Sequence, residues 1–382
     1  MKIGVDCHVL AGKFQGSRTY LENLYREVVK LDNHNKYLFF GHWRGHYPFG
    51  GPDRHVEYRS PSRLKRLTYQ TRPLIRQHDI ELFHSTYISP LLMPCDRLLT
   101  VHDLLFETHP QFFKKAFVWR SRMLVRRSAV RARQVHTISQ YCRQILVEQY
   151  RFHPDKVRIV PVGVDLERFS TRYRSDASEL IARRFGVRDF LLTVGRLEPR
   201  KNHLGLFRAY AILRQYCPDV GPLVVIGQTD FGFEDILSAP RKLGIAEYVR
   251  FLPDVPDNRL ADFYRAATMF VYPSFAEGLG IPPLEAMACG TPVVTSNTTA
   301  IPEVVGDCGL LVDPNNVEQI AAAMKSLLAD TNLAADLARR GRLRAEDWSW
   351  THAAKKYLQA LDCLAAVAES GRSALNVTSG VK

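Results

Sequence analysis

The sequence predicts an α/β protein of two doubly wound domains, one after the other, facing a central cleft. Three observations carry that reading. At 382 residues the chain is too long for one ordinary hydrophobic core and fits two. Short, unbroken apolar runs alternate with amphipathic stretches, and unbroken runs mark parallel strands buried on both faces. The runs form two series that part near Val162–Thr171, where Pro161 and Gly163 interrupt the pattern.

In the first series the candidate strands are Lys2–Asp6, Tyr37–Phe40, Leu82–His84, Leu98–Val101, Gln134–Ile138 and Arg158–Pro161. Helical patterns lie between them: Leu21, Leu24, Tyr25 and Val28 recur on one face of Thr19–Leu31. The second series runs through Phe190–Val194, Leu223–Ile226, Val249–Phe251, Met269–Tyr272, Pro292–Thr295 and Gly309–Val312, with a helical pattern such as Leu204–Gln215 in the gaps. The expected domains are residues 1–168 and 169–349, followed by a last helix over about 350–366. Residues 370–382, rich in Ser, Gly and small side chains, are expected to be disordered.

Composition narrows the class. The chain is 46% hydrophobic and 24% charged, as expected of a globular enzyme. The opening Met-Lys-Ile-Gly-Val-Asp reads as a strand and not a signal peptide, and no run approaches the roughly 18 apolar residues of a membrane span. Seven scattered cysteines without a Cys-x-x-Cys pair suit reduced thiols better than a disulfide frame or a zinc site. A cytoplasmic location follows as an expectation.

The formal net charge of +13 is unevenly spread. Through Arg168 there are 28 Lys+Arg against 15 Asp+Glu, whereas the rest of the chain balances. The densest stretch, Lys114–Arg133, holds eight cations and no acid, which points to an anionic partner such as phospholipid. Aromatic residues are not interleaved with it as in a nucleic-acid site, and no nucleic-acid partner is expected.

Two segments carry the chemistry. Phe275-Ala276-Glu277-Gly278-Leu279-Gly280-Ile281-Pro282-Pro283-Leu284-Glu285 follows a predicted strand. Gly278 and Gly280 let a ligand approach the backbone, the prolines suit a first helical turn, and the helix start favours a phosphate. A carboxylate beside a phosphate site would bind ligand hydroxyls through charge-assisted bonds. Thr193-Val194-Gly195-Arg196-Leu197-Glu198-Pro199-Arg200-Lys201-Asn202 runs from a strand into a glycine turn with cations. Arg196 offers a forked phosphate contact and Lys201 a point charge. His102 stands at the end of the predicted strand Leu98–Val101, beside Asp103, and Gly16 lies in the loop after the first strand.

The first segment resembles the Glu-x7-Glu signature of retaining GT-B glycosyltransferases of family four, the group 1 set, and the similarity extends over roughly Lys2–Leu361. The resemblance implies the GT-B fold, with the last helix crossing back to the first domain. It implies a nucleotide diphosphate sugar as donor, Glu277 at the transferred sugar and Glu285 at the ribose. It implies Arg196 and Lys201 neutralising the diphosphate in place of a metal, for which no Asp-x-Asp is present. It places His102 at the sugar and assigns Gly278, Leu279, Gly280 and Gly16 to donor binding. The glycine-rich loop matches only in part, since Gln15 and Ser17 depart from the family pattern. Neither metal nor bound cofactor is expected. The acceptor is read as a glycan or lipid-linked molecule in cell-surface polysaccharide or lipopolysaccharide synthesis. Lys114–Arg133 would contact anionic lipid at the inner face of the plasma membrane. Mannose from GDP-mannose is adopted as a donor that no residue fixes. The competing reading is a sugar-nucleotide epimerase or hydrolase of the same fold, with His84 or His102 as acid or base.

Overall fold

The computed structural model describes residues 1–11, 16–43 and 45–378. It divides into two compact units, Met1–Gly163 with the segment from Trp350 onward, and Val164–Ser349.

The first unit holds seven parallel strands, β1 (Lys2–Asp6), β2 (Lys36–Gly41), β3 (His55–Glu57), β4 (Leu82–Thr86), β5 (Asp96–Val101), β6 (Gln134–Thr137) and β7 (Val157–Ile159). Their order is β3-β2-β1-β4-β5-β6-β7. The chain steps outward from β1 to β3, then returns to the other side of β1, so a topological switch point lies between β1 and β4. The sequence shows no apolar run at β3, a three-residue edge strand with only Val56 buried, and it was not expected there. Helix α1 (Gly16–Leu31) buries Tyr20, Leu21, Leu24, Tyr25 and Val28, the face its spacing predicts. Helix α2 (Lys115–Arg131) buries Val118, Ser121, Val125, Ser128 and Ala129.

The C-terminal helix, Trp350–Thr378, belongs to this unit. It is anchored by a buried polar chain. The Tyr357 hydroxyl lies 2.8 Å from that of Tyr25, which lies 2.5 Å from His84 Nδ1, and His84 Nε2 is 2.7 Å from Thr100 Oγ1. The helix runs on through residues 370–378, where disorder was expected. Extending a nucleated helix fixes one residue per bond gained, and a single Gly371 does not stop it. Residues 379–382 lie outside the described residues.

The second unit has six parallel strands, β8 (Leu191–Val194), β9 (Leu223–Ile226), β10 (Val249–Leu252), β11 (Met269–Tyr272), β12 (Val293–Ser296) and β13 (Leu310–Val312), in the order β10-β9-β8-β11-β12-β13. Its core packs Leu191, Val225 and Val271 against Phe207, Tyr210 and Met324. Helices α3 (His203–Tyr216), α4 (Leu260–Ala266) and α5 (Ile281–Ala288) matter for the site. The unit starts at Val164, ahead of the boundary expected after Arg168. Val164 bridges to Ser349, and the Arg168 guanidinium grips Asp257 at 2.8 Å, so these residues are stitched to the second unit.

Candidate active site

Open parallel sheets bind ligands beyond the carboxyl ends of their strands at the switch point. In the second unit that point lies between β8 and β11, and both chemistry-bearing segments leave the sheet there. After β8 the chain passes so close to the next loop that a Cβ on Gly227 would sit 2.0 Å from the Gly195 carbonyl oxygen. It then turns through Pro199–Lys201 into Asn202, which adopts left-handed φ of 56°. The buried Asn202 side chain donates to the carbonyls of Pro273 at 3.0 Å and Pro314 at 2.7 Å, and accepts from Gly205 N at 3.2 Å. It thereby caps α3 and ties the Lys201 turn to the strand-end loop of β11.

That tie brings Lys201 to Glu277. Lys201 Nζ donates to Glu277 Oε1 at 2.7 Å and to the Tyr272 hydroxyl at 2.5 Å. The Tyr272 and Ser274 hydroxyls donate to the same carboxylate oxygen at 2.8 and 2.6 Å. Arg200 Nη1 lies 2.9 Å from Oε2. Burial would push the Glu277 carboxyl up, but Arg200, then Lys201, outweigh it and hold the group down at about 2. Burial, reinforced by the neighbouring Arg200, lowers the Lys201 ammonium, with Glu277 acting against both.

Glu285 has a different environment. It sits in α5, and its Oε2 accepts from the Tyr264 hydroxyl of α4 at 2.9 Å. Burial pushes its carboxyl up to about 7, which the Tyr264 bond only partly offsets. The loop between the two glutamates buries Leu279 and reaches Gly280 with φ of 107°, a conformation suited to glycine. Gly280 caps α5. Of the first four helical residues only Ile281 and Leu284 carry an N–H, because Pro282 and Pro283 lack one. The helix start is therefore poorer in donors than its position suggests.

Arg196 stands apart from the Glu277 cluster. It is half-exposed and pairs with Asp230 at 2.8 Å. Among the described residues, no three His, Cys, Asp or Glu side chains gather as metal ligands.

In the first unit, His102 follows β5 and is buried, packed edge-on against Tyr20 at 4.6 Å between ring centroids. Its Nε2 has no hydrogen-bond partner among the described residues, and burial lowers it to about 4. At neutral pH it is an uncharged imidazole. Asp103, its neighbour in sequence, accepts from the Tyr87 hydroxyl at 2.7 Å. Gly16 opens α1, while residues 12–15, including Gln15, lie outside the described residues.

Sequence reasoning passed over Arg200, Tyr264, Tyr272, Ser274, Asn202 and Thr299. Thr299 Oγ1 accepts from the Glu277 N–H at 3.0 Å. Arg200 and Asn202 flank Lys201, and Tyr272 and Ser274 stand just ahead of the glutamate motif, so position gave a usable signal for these four and none for Tyr264 and Thr299.

Residues 14–168 match the family model described as Glycosyltransferase Family 4, and residues 182–344 that of Glycosyl transferases group 1. The chain is 33% identical over 267 residues to the O-antigen chain mannosyltransferase B of Escherichia coli, covering 69% of this chain and 70% of that protein. It is 30% identical over 357 residues to the GDP-mannose-dependent alpha-(1-6)-phosphatidylinositol monomannoside mannosyltransferase of Mycolicibacterium smegmatis, covering 88% and 91%. In fold it is similar to sucrose-phosphate synthase from Thermosynechococcus elongatus, with TM-score 0.76 and 22% identity over 96% of this chain and 99% of that one.

Proposed function

The chain belongs to the group 1 glycosyltransferases, and from that premise we propose that it moves mannose, with retention, from GDP-mannose to a glycan or lipid-linked acceptor in cell-surface polysaccharide synthesis. Its fold is GT-B and its donor a nucleotide sugar. Mannose is supported by the two relatives, both mannosyltransferases, one of which carries GDP-mannose in its name. The observation that carries the reading is the Glu277–Lys201 contact at the switch point of the second sheet. It sets a charged acceptor for sugar hydroxyls beside a cation for the departing diphosphate.

The proposed chemistry needs that pairing. As the glycosidic bond breaks, the nucleoside diphosphate gains charge that fixed cations must stabilise. Arg196 and Lys201, now held by Asp230 and Glu277, would turn to the diphosphate and serve in place of a metal. Glu277 would take a sugar hydroxyl, Glu285 the ribose hydroxyls, and the neutral His102 a sugar hydroxyl through Nε2. Gly278, Leu279 and Gly280 would shape the donor's path, with Gly16 near the sugar. Calorimetry and turnover with GDP-mannose, UDP-glucose and UDP-N-acetylglucosamine, each with and without EDTA, test this together. GDP-mannose is expected to bind and react, unchanged by EDTA. Preference for a uridine donor removes the GDP-mannose assignment. Activity lost to EDTA and restored by magnesium or manganese removes the role of the two cations as metal substitutes.

The acceptor side is proposed to meet an anionic membrane at the inner face through Lys114–Arg133. Among the described residues no helix is long and apolar enough to cross a membrane. Helix α2 instead offers an exposed apolar stripe, Trp119, Met123 and Val130, which are 68%, 49% and 55% exposed. These lie at i, i+4 and i+11, one face of a helix. By the same geometry Arg126 flanks the stripe on one side and Arg120 and Arg131 on the other. None of those three arginines forms an ion pair among the described residues, whereas Arg122 pairs with Glu107 and Arg133 with Asp96. Phe113 packs into the core and takes no part. Basic residues near an anionic surface contribute roughly 1 kcal/mol each. Liposome sedimentation should show binding that rises with anionic lipid, falls with salt, and drops when Arg120, Arg126 and Arg131 are replaced together by serine. Equal recovery on neutral and anionic vesicles would point to an acceptor away from lipid.

A further inference from the structure

We propose that Arg200 is a positioning residue for sugar transfer, anchoring the less crowded oxygen of Glu277 and keeping that carboxylate charged when the donor diphosphate draws Lys201 away. The inference rests on the donor-site reading above and adds a residue to it.

The two oxygens of Glu277 are unequally occupied. Oε1 receives Lys201 Nζ, the Tyr272 hydroxyl and the Ser274 hydroxyl at 2.7, 2.8 and 2.6 Å. Its lone pairs are spent. Oε2 faces Arg200 Nη1 at 2.9 Å and is the oxygen with capacity left for a sugar hydroxyl. What fixes Arg200 therefore fixes the reactive edge of the carboxylate.

Arg200 is fixed from three directions. Nη1 also donates to the Ala276 carbonyl at 2.6 Å, and Nη2 donates to Glu198 Oε1 at 2.5 Å. Its own carbonyl accepts from Phe275 N at 2.9 Å. Side chain and backbone both bind the loop that carries Glu277. A planar fork held this way cannot turn to a phosphate without breaking several bonds. Lys201 can, because its ammonium ends a flexible stem and holds only one carboxylate oxygen and one hydroxyl.

Charge balance gives the arrangement its purpose. With one cation, Glu277 and the diphosphate would compete for Lys201. With two, Lys201 can serve the diphosphate while Arg200 remains as counterion to Glu277. Removing Arg200 should therefore let Glu277 protonate more easily and hold Lys201 back from the donor.

The test is the pH profile of kcat/KM for the preferred nucleotide sugar in the wild type, R200Q and R200K, with unfolding followed over the same pH range. Removing an opposite charge at this distance raises a carboxyl by about 1–3 pH units. Burial holds Glu285 at about 7, so Glu277 sets the lower of the two acid limbs; in R200Q that lower limb should move up by that much and the donor KM should rise. R200K should return the limb to the wild-type position but keep a lowered kcat, because the single nitrogen of a lysine does not reproduce the fork whose Nη1 holds Ala276 and Glu277 while Nη2 holds Glu198. A purely structural role would change kcat without moving the limb. An R200Q limb that superimposes on the wild type overturns the proposal, as does an R200K limb no better than that of R200Q. Where R200Q does not fold, R200K decides, and wild-type kcat in R200K overturns the anchoring. Unfolding keeps the two readings separate. If the wild type transfers no sugar yet R200Q shifts the acid-side loss of stability upward, the donor-site reading fails and the Arg200–Glu277 coupling stands.

Discussion

Replacing Glu277 with glutamine is expected to lower kcat/KM by roughly tenfold to 150-fold and to weaken the fold at neutral pH. The kinetic loss follows from one charge-assisted bond to a sugar hydroxyl, about 1.5–3 kcal/mol, with each 1.36 kcal/mol worth about tenfold in rate. The stability loss follows from burial. Glutamine matches the shape of Glu277 but sets an amide NH2 against Arg200 or Lys201, donor against donor. Both cations also lose their shared counterion. Removing one member of a buried ion pair costs about 3–5 kcal/mol, and the share is smaller here because Arg200 keeps Glu198. The pH dependence distinguishes this from simple mispacking. The carboxyl falls from its ordinary 4.5 to about 2 in the folded chain. Its stabilising contribution is present above 4.5 and is lost as pH falls toward 2. Urea unfolding should thus show a gap between wild type and variant at neutral pH that closes in acid. Near-normal turnover by folded E277Q would remove Glu277 from the reaction.

The parallel sheets were legible because their strands are continuous apolar runs. The run Met269–Tyr272 becomes β11 as a fully buried strand. Strand β3 was not legible, since three residues at a sheet edge need no apolar run. Motif spacing likewise located the loop from Glu277 to Glu285, with Gly280 in a conformation that favours glycine. What surrounds each carboxylate was hidden, because those partners arrive by tertiary contact. Tyr264 reaches Glu285 from a separate helix, and nothing in the local sequence around either residue announces the other. Asn202 closes the segment that carries the cations, and its side chain bridges two distant loops. Adjacency in sequence does not make a contact: Asp103 follows His102 but bonds to Tyr87.

Glu285 should make donor binding release a proton near neutral pH. Its carboxyl is pushed up to about 7 by burial in the ligand-free chain. A nucleotide whose ribose hydroxyls donate to Glu285 stabilises the carboxylate and expels that proton. Affinity should then rise as pH increases toward 7 and level off above it, and calorimetry below 7 in buffers of different ionisation enthalpy should reveal the released proton. The same shift predicts a stability effect of opposite sense to that of Glu277. A carboxyl raised from 4.5 to about 7 holds its proton longer in the folded state. Its contribution is full below 4.5 and declines as pH rises through 7. At pH 8 the fold therefore carries a buried charge that costs at most roughly 3 kcal/mol. Replacing Glu285 with glutamine keeps an acceptor for Tyr264 and removes that cost. E285Q should be more stable than the wild type at pH 8, indistinguishable from it below pH 4.5, and weaker in donor binding with no proton release. A variant destabilised equally at both pH values would show that Glu285 is held as a carboxylate throughout. Unchanged donor affinity would take it out of the ribose site.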